Sequence, residues 1–225
     1  MIMCSINHNL KAIFIHIPKN GGSYVAEILT KNYGFKNYYL QRPDHKFFCN
    51  GKDNSVDKHE NKIHGTLMYY KTSPYINKII GMNDNKWNNY FIFTFVRNPY
   101  DRIVSGWNYI NKYNIAFKDY INVNWNASDY DYWHVFMTQS RHIIGNNGKI
   151  RANFIGKLEN LELDLKIVLN KLGIKNIIHQ PFVKNKKNHK KSMEYYDNDV
   201  FQKVNLLVIE DLENFGYNKI DYIQL

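Results

Sequence analysis

Short apolar runs rich in β-forming residues alternate along this chain with stretches whose apolar residues recur every three or four positions. The first run is Lys11 to Ile17, KAIFIHI, ended by Pro18. Its short length and apolar, β-forming character predict a buried strand of a parallel sheet. Tyr24 to Tyr33 then carries Val25, Ile28 and Leu29 at helical spacing, with Gly34 as the stop. The second run is Tyr90 to Val96, YFIFTFV. Asn98 follows as a good N-cap and Pro99 as a good first helical residue, which predicts a helix to Tyr113 with Ile103, Trp107 and Ile110 on one face.

Weaker signals complete the pattern. Residues 35 to 62 are polar without a clear period and read as a loop or irregular insertion. Short helices are predicted from Thr66 to Lys71 and around Ile76 to Ile80, and a longer one from Tyr132 to Ile144. A third strand is expected at Asn153 to Lys157, then a helix from Leu161 to Leu172 ended by Gly173. Asp197 to Phe215 reads as a final amphipathic helix with Val200, Val204, Leu207, Val208 and Leu212 apolar. Strands alternating with helices predict one α/β domain over residues 1–225, a central parallel sheet flanked by helices.

Charge and cysteine content narrow the partners only slightly. Thirty Lys plus Arg against 20 Asp plus Glu give a net charge of +10, a field that attracts nucleic acid, anionic lipid, a phosphorylated cofactor or an acidic glycan. Cys4 and Cys49 do not make a disulfide framework, and no Cys and His cluster has zinc spacing. Met1 to Asn9 has no basic segment followed by a long apolar run, and no stretch approaches the ~20 apolar residues of a membrane span. The expectation is a soluble, cytoplasmic chain.

Two strand-to-helix turns carry the chemistry. In the first, Pro18 to Ser23, Gly21 and Gly22 let the backbone approach an anion. The helix that follows aims free N–H groups and its positive end at the same place. Lys19 adds a full charge and Ser23 a hydroxyl donor. The pattern differs from a Walker A loop, because the lysine precedes the glycines. An ordinary strand-to-helix turn is the plain alternative. In the second turn, Arg97 stands at the end of a strand, where open α/β sheets bind ligands, and can grip a phosphate bidentately. Ser105 lies about two helical turns beyond it and can add a hydroxyl. Arg102 reads as an ordinary exposed helix residue.

Together, IFIHIPKNGGSY and FTFVRNPYDRIVSGW resemble the PAPS-dependent sulfotransferases, the carbohydrate branch most closely. The segments FIGKLENL (154–161) and DLENFGY (211–217) are also similar, so the motifs run in family order across residues 11 to 217. The resemblance implies a fold like the P-loop nucleoside kinases and transfer of a sulfuryl group from 3′-phosphoadenosine-5′-phosphosulfate (PAPS) to a hydroxyl acceptor, with a glycan as the expected acceptor and nucleic acid not expected as a partner. It makes Lys19, Asn20, Gly21, Gly22, Ser23 and Tyr24 the loop around the 5′-phosphosulfate. Lys19 would stabilise the leaving phosphate oxygen and Ser23 would bond the 5′-phosphate. Arg97 and Ser105 would hold the 3′-phosphate. Asn20 stands where many relatives have Thr, a change the loop tolerates if its backbone does most of the binding.

The acceptor needs a general base, and relatives commonly place a histidine before a helix in the region of His64. A structural or surface histidine is the alternative there, and His45, Asp44 and Glu60 compete for the role. His16 reads as structural. The basic run Lys184, Lys186, Lys187, Lys190 and Lys191 either closes over the nucleotide or is a solvated charge run. Tyr38, Tyr39, Tyr69, Tyr70, Tyr195 and Tyr196 can stack on sugar or adenine, with packing the plainer reading. No carboxylate pair suggests a metal. An ATP-dependent small-molecule kinase and a non-catalytic polyanion-binding protein are the rival readings; the missing Walker A lysine position opposes the first.

Overall fold

A computed structural model describes residues 4–40, 47–49, 77–78, 80–110, 114–125, 129, 131–145, 147–177 and 192–220. Its centre is a six-stranded sheet. The strands in chain order are β1 (Cys4–Asn7), β2 (Ala12–Ile15), β3 (Lys36–Leu40), β4 (Phe47–Cys49), β5 (Phe91–Val96) and β6 (Phe154–Lys157). They lie side by side as β4-β3-β1-β2-β5-β6.

The three strands expected from the apolar runs, β2, β5 and β6, pair in parallel, with Ile15 opposite Thr94 and Phe95 opposite Gly156. The other half corrects the expectation of a parallel sheet. β1 pairs antiparallel to β2 and to β3, and β3 antiparallel to β4, so the sheet is mixed. β1 and β3 escaped the apolar pattern because several of their polar residues are hidden and satisfied. Ser5 Oγ donates to Asn37 Oδ1 at 2.5 Å and Asn7 Nδ2 donates to the Tyr33 carbonyl at 2.8 Å, all three side chains being buried. A buried polar group paired in this way avoids the cost of an unmade hydrogen bond.

Strand alternation sorts the core. Phe14, Phe93 and Phe95 point to one face, under α1 (Gly22–Tyr33) and α6 (Leu161–Lys171). Ile13, Ile15, Ile92 and Val96 point to the other, against Trp87, Ile143 and Phe215. Those three come from α2 (Asp84–Asn89), α5 (Gln139–Ile143) and α7 (Asn198–Phe215). Burying each such side chain contributes about 1.5–3 kcal/mol before entropy is counted. A third cluster joins α3 (Pro99–Ile110), α4 (Phe117–Asn122) and α7 through Tyr100, Trp107, Phe117, Phe201 and Val204.

Helix ends follow the sequence closely. Gly34 closes α1 at φ 69°, with the Phe35 N–H donating to the Leu29 carbonyl. Asn98 Oδ1 accepts from the Tyr100 N–H at 3.0 Å, ahead of Pro99. Asp197 caps α7 by accepting from the Val200 N–H. The helix expected over Tyr132 to Ile144 is broken. Tyr132–Phe136 is a π-helical turn closed by the Met137 N–H on the Tyr132 carbonyl, and α5 starts afresh after Thr138. No helix among the described residues is long and apolar enough to cross a membrane.

Candidate active site

β2 and β5 are neighbours in parallel, so the chain leaves both at the same edge of the sheet. The two sequence motifs begin there, Pro18 to Ser23 after β2 and Arg97 onward after β5. Arg97 Nη1 lies 3.4 Å from the Lys19 carbonyl oxygen, a long hydrogen bond that joins the two turns directly. A surface hollow beside Lys11, Asn85, Lys86, Asn89 and Tyr90 lies at the opposite, amino-terminal end of these strands and contributes nothing to this site.

The first turn ends at Gly21, the N-cap of α1, with φ 73°. Lys19 is also left-handed at φ 69°, a conformation that costs a non-glycine residue about 1 kcal/mol or more. No side chain caps α1 and no acidic residue sits in its first turn. The Tyr24 and Val25 N–H groups donate back to the Gly21 carbonyl at 3.1 and 3.3 Å, which leaves the preceding amides outside the helical ladder. Ser23 is exposed at that end, while the Tyr24 ring is half-buried against the core beneath α1. Burial and the nearby Glu162 raise the Tyr24 phenol above its usual pKa. No acidic residue of this twelve-residue helix's own first turn therefore offsets its positive dipole end, which favours an anion there.

The individual side chains divide into those that face outward and those that hold the turn. The Lys19 Nζ lies 3.8 Å from the centroid of the Tyr109 ring, which is 60% exposed and stacked on His134 at 5.4 Å and 14°. Asp101, Ser105 and Tyr109 follow one another at four-residue spacing on the partly open face of α3. Ser105 thus lies on the strip between Arg97's neighbour Asp101 and Lys19's neighbour Tyr109. Arg97 is largely withdrawn from water, which lowers its pKa, while Asp101, Glu159 and Tyr217 act in the opposite direction. Glu159 also accepts from the Asn98 N–H at 2.7 Å and the Tyr217 hydroxyl at 2.9 Å.

Gly22 has a packing reason for being glycine. A Cβ there would meet His16 Cδ2 at 1.9 Å. His16 itself is buried and stacked on Phe14, in keeping with its structural reading. The Asn20 side chain also turns inward and is 1% exposed. Its Nδ2 donates to the Phe95 carbonyl at 2.9 Å and to Gln139 Oε1 at 2.7 Å. Asn20 Oδ1 is a buried acceptor with no hydrogen-bond partner among the described residues, and an acceptor offers nothing to a phosphate. Any contact of Asn20 with an anion therefore runs through its backbone.

Arg102 overturns its exposed reading. It is 3% exposed, with Nε donating to the Pro18 carbonyl at 3.1 Å and Nη1 to the Val135 and Met137 carbonyls at 3.0 and 3.1 Å. Nη2 reaches the His134 carbonyl at 3.5 Å. The π-helical turn wraps its carbonyls around this guanidinium, so charge is solvated by backbone in place of water. Burial pushes the Arg102 pKa down to about 10, with Asp211 opposing the shift, so the side chain stays charged at neutral pH. Gln139 and Asp211 were not singled out from the sequence as site residues, although Asp211 opens the matched DLENFGY segment. Asp211 accepts from the Gln139 and Ser140 N–H groups at 2.7 and 2.9 Å, fixing the start of α5.

Several expected participants lie outside the described residues: His64, His45, Asp44, Glu60, Tyr69, Tyr70 and the lysines from 184 to 191. So do the helix expected at 66–71 and most of that around 76–80. Tyr38 is core, and Tyr195 and Tyr196 pack around Trp107 and Phe117, which makes all three structural.

What the arrangement offers is a cationic, N–H-rich turn beside a partly desolvated arginine. Comparison with known proteins agrees with that chemistry. The family model described as "Sulfotransferase family" matches residues 3–218. An uncharacterised protein of Archaeoglobus fulgidus is 32% identical over 89 residues, covering 38% of this chain and 69% of the relative. No solved structure matches. With the match running from before β1 to beyond α7, and both turns inside it, the chain belongs to the sulfotransferase family.

Proposed function

We propose that the protein moves a sulfuryl group from PAPS to a hydroxyl of a carbohydrate, within one domain spanning residues 1–225. The observation that carries the reading is the 3.4 Å contact between Arg97 and the Lys19 carbonyl, which sets two anion-attracting turns side by side. A doubly phosphorylated adenosine needs such a pair, one for each end. The residues present fit it: an uncapped helix start free of acidic side chains, an exposed Ser23 hydroxyl, and Arg97 at the next strand end. Lys19 to Tyr24 would hold the 5′ side, and Arg97 with Ser105 the 3′-phosphate. When bound, PAPS supplies the sulfuryl group and leaves as the bisphosphate.

The chain's own contribution is electrostatic and positional. The Lys19 ammonium and the α1 amides are fixed before reaction, so no reorganisation is needed when negative charge grows on the departing oxygen. His64 is assigned the proton of the acceptor hydroxyl. The carbohydrate assignment rests on the VRNPYDR and HIPK patterns, to which the net charge of +10 adds attraction for acidic glycans.

Thermal shifts with adenosine 3′,5′-bisphosphate, AMP and Mg-ATP test the reading. Binding to the folded state stabilises by mass action, so the bisphosphate should give the largest shift. Equal shifts with AMP remove the assigned role of Arg97 and Ser105, and a larger shift with Mg-ATP favours a kinase. In an assay with a working acceptor, Lys19→Ala and His64→Ala should each lower turnover. Full activity in His64→Ala places the base elsewhere.

A further inference from the structure

One buried amide bonds to both turns at once from below. Gln139, fully buried at the start of α5, accepts with Oε1 from Asn20 Nδ2 at 2.7 Å and from the Arg97 N–H at 2.9 Å. Its Nε2 donates to the Arg97 carbonyl at 2.9 Å. Gln139 therefore pairs with Arg97 as a strand neighbour would, through both N–H and C=O, while holding the Asn20 side chain with the same oxygen. Among side chains in their usual neutral-pH forms, only an amide carries a donor and an acceptor on the same terminal carbon. Asparagine is one methylene shorter and cannot span the same distance from the same backbone.

The amide is itself fixed. Asp211, 1% exposed, accepts from the Gln139 N–H, the Ser140 N–H and the Ser140 hydroxyl at 2.7, 2.9 and 2.9 Å. Asn214 Nδ2 donates to the same hydroxyl at 2.9 Å. The Arg97 backbone thus has its position set by α5 and α7, not by its own strand alone. Asn20, held at the other end of the amide, is the residue between Lys19 and Gly21, so its position sets theirs.

We propose that Gln139 is a positioning residue that fixes the spacing of the two anion turns and so makes the protein prefer a ligand carrying two phosphates over one carrying either alone. The inference rests on the function proposed above, since it takes one nucleotide to bridge both turns. A bidentate ligand gains over its halves only when both receptors are held at its own span, because the second contact is then nearly free of ordering cost.

The test compares dissociation constants for adenosine 3′,5′-bisphosphate, AMP and adenosine 3′-monophosphate, by calorimetry, in wild type, Gln139→Leu and Gln139→Glu. Gln139→Glu keeps the shape and the acceptor but loses the donor to the Arg97 carbonyl. The preference for the bisphosphate over AMP should fall by about tenfold or more in Gln139→Leu, and less in Gln139→Glu, with AMP affinity within about threefold of wild type. Val168→Ala, a core truncation on the buried face of α6, serves as the control for lost stability and should keep the wild-type preference. Equal losses for all three nucleotides, or an unchanged preference, overturn the proposal. Should neither Gln139 variant fold, hydrogen exchange of the Gln139 side-chain amide in wild type decides: slowing by the bisphosphate but not by AMP supports the proposal, and no difference rejects it. A wild type without bisphosphate preference rejects the function itself, a result distinct from any failure of Gln139.

Discussion

Replacing Gly22 with alanine would put the new Cβ 1.9 Å from Cδ2, 2.4 Å from Nε2 and 2.8 Å from Cγ of the His16 ring. These contacts are far inside van der Waals range, so the ring must move. It has little room, because His16 is buried and stacked on Phe14, and Phe14 is wedged against Phe93 and Phe95 at 5.5 and 6.2 Å. Overpacking of this kind costs about 1–3 kcal/mol. The backbone works the other way: Gly22 has ordinary helical geometry, and alanine there gains up to about 1 kcal/mol through propensity. The net loss should be about 1–2 kcal/mol in Gly22→Ala. Urea unfolding of Gly22→Ala, His16→Ala and the double variant separates the terms. With the imidazole gone, the second change should become neutral or slightly stabilising, a coupling of about 1–3 kcal/mol. If Gly22→Ala costs the same in both backgrounds, the close packing of His16 under the turn is refuted.

Other outcomes follow from the same geometry. Arg102→Met should cost about 2–4 kcal/mol, since it strips a buried donor from the carbonyls of Pro18, His134, Val135 and Met137, and Arg102→Lys should not restore it because one ammonium cannot fork to all of them; chemical denaturation measures both. Burial first, then the positive charges of Lys19, Arg102, His16 and His142, hold the His134 imidazole down to a pKa of about 2. The unfolded chain therefore takes up a proton below pH ~6.5 that the folded one refuses, so this residue removes stability as pH falls, by up to about 1.4 kcal/mol per unit between those two pKa values. His134→Phe should flatten the pH dependence between 6.5 and 5, and an unchanged slope would count against the assignment. Tyr109→Ser should release the Lys19 ammonium, seen as loss of the ring-current shift on methylated Lys19, whereas Tyr109→Phe should keep it.

Much of this architecture was visible in the chain because its signals are local. The apolar runs at 11–17 and 90–96 gave β2 and β5, and Asn98, Pro99, Gly34 and Asp197 gave helix ends within a residue or two. β1 and β3 stayed hidden because residues such as Ser5, Asn7 and Asn37 look solvent-bound until each is seen to satisfy another. The site divided the same way. Lys19, Ser23 and Arg97 stand at strand ends and helix starts, which local pattern reveals. Arg102 and Gln139 do not, because their roles depend on carbonyls and amides brought from 32 to 119 residues away. A buried arginine whose hydrogen bonds run to backbone carbonyls leaves no local pattern in the sequence to betray it.

The route from Asn20 to Gln139 to Asp211 also has a consequence for when the protein acquires its activity during synthesis. The β2 turn is made among the first tenth of the chain, yet its Asn20 anchor waits for Gln139, and Gln139 waits for Asp211 near the carboxyl end. Contacts of such long range form late in folding. A nascent chain still short of α7 can thus assemble strands and helices on the ribosome while the proposed anion site stays unset, and cleavage within α7 would loosen that site while leaving every residue of both turns in place.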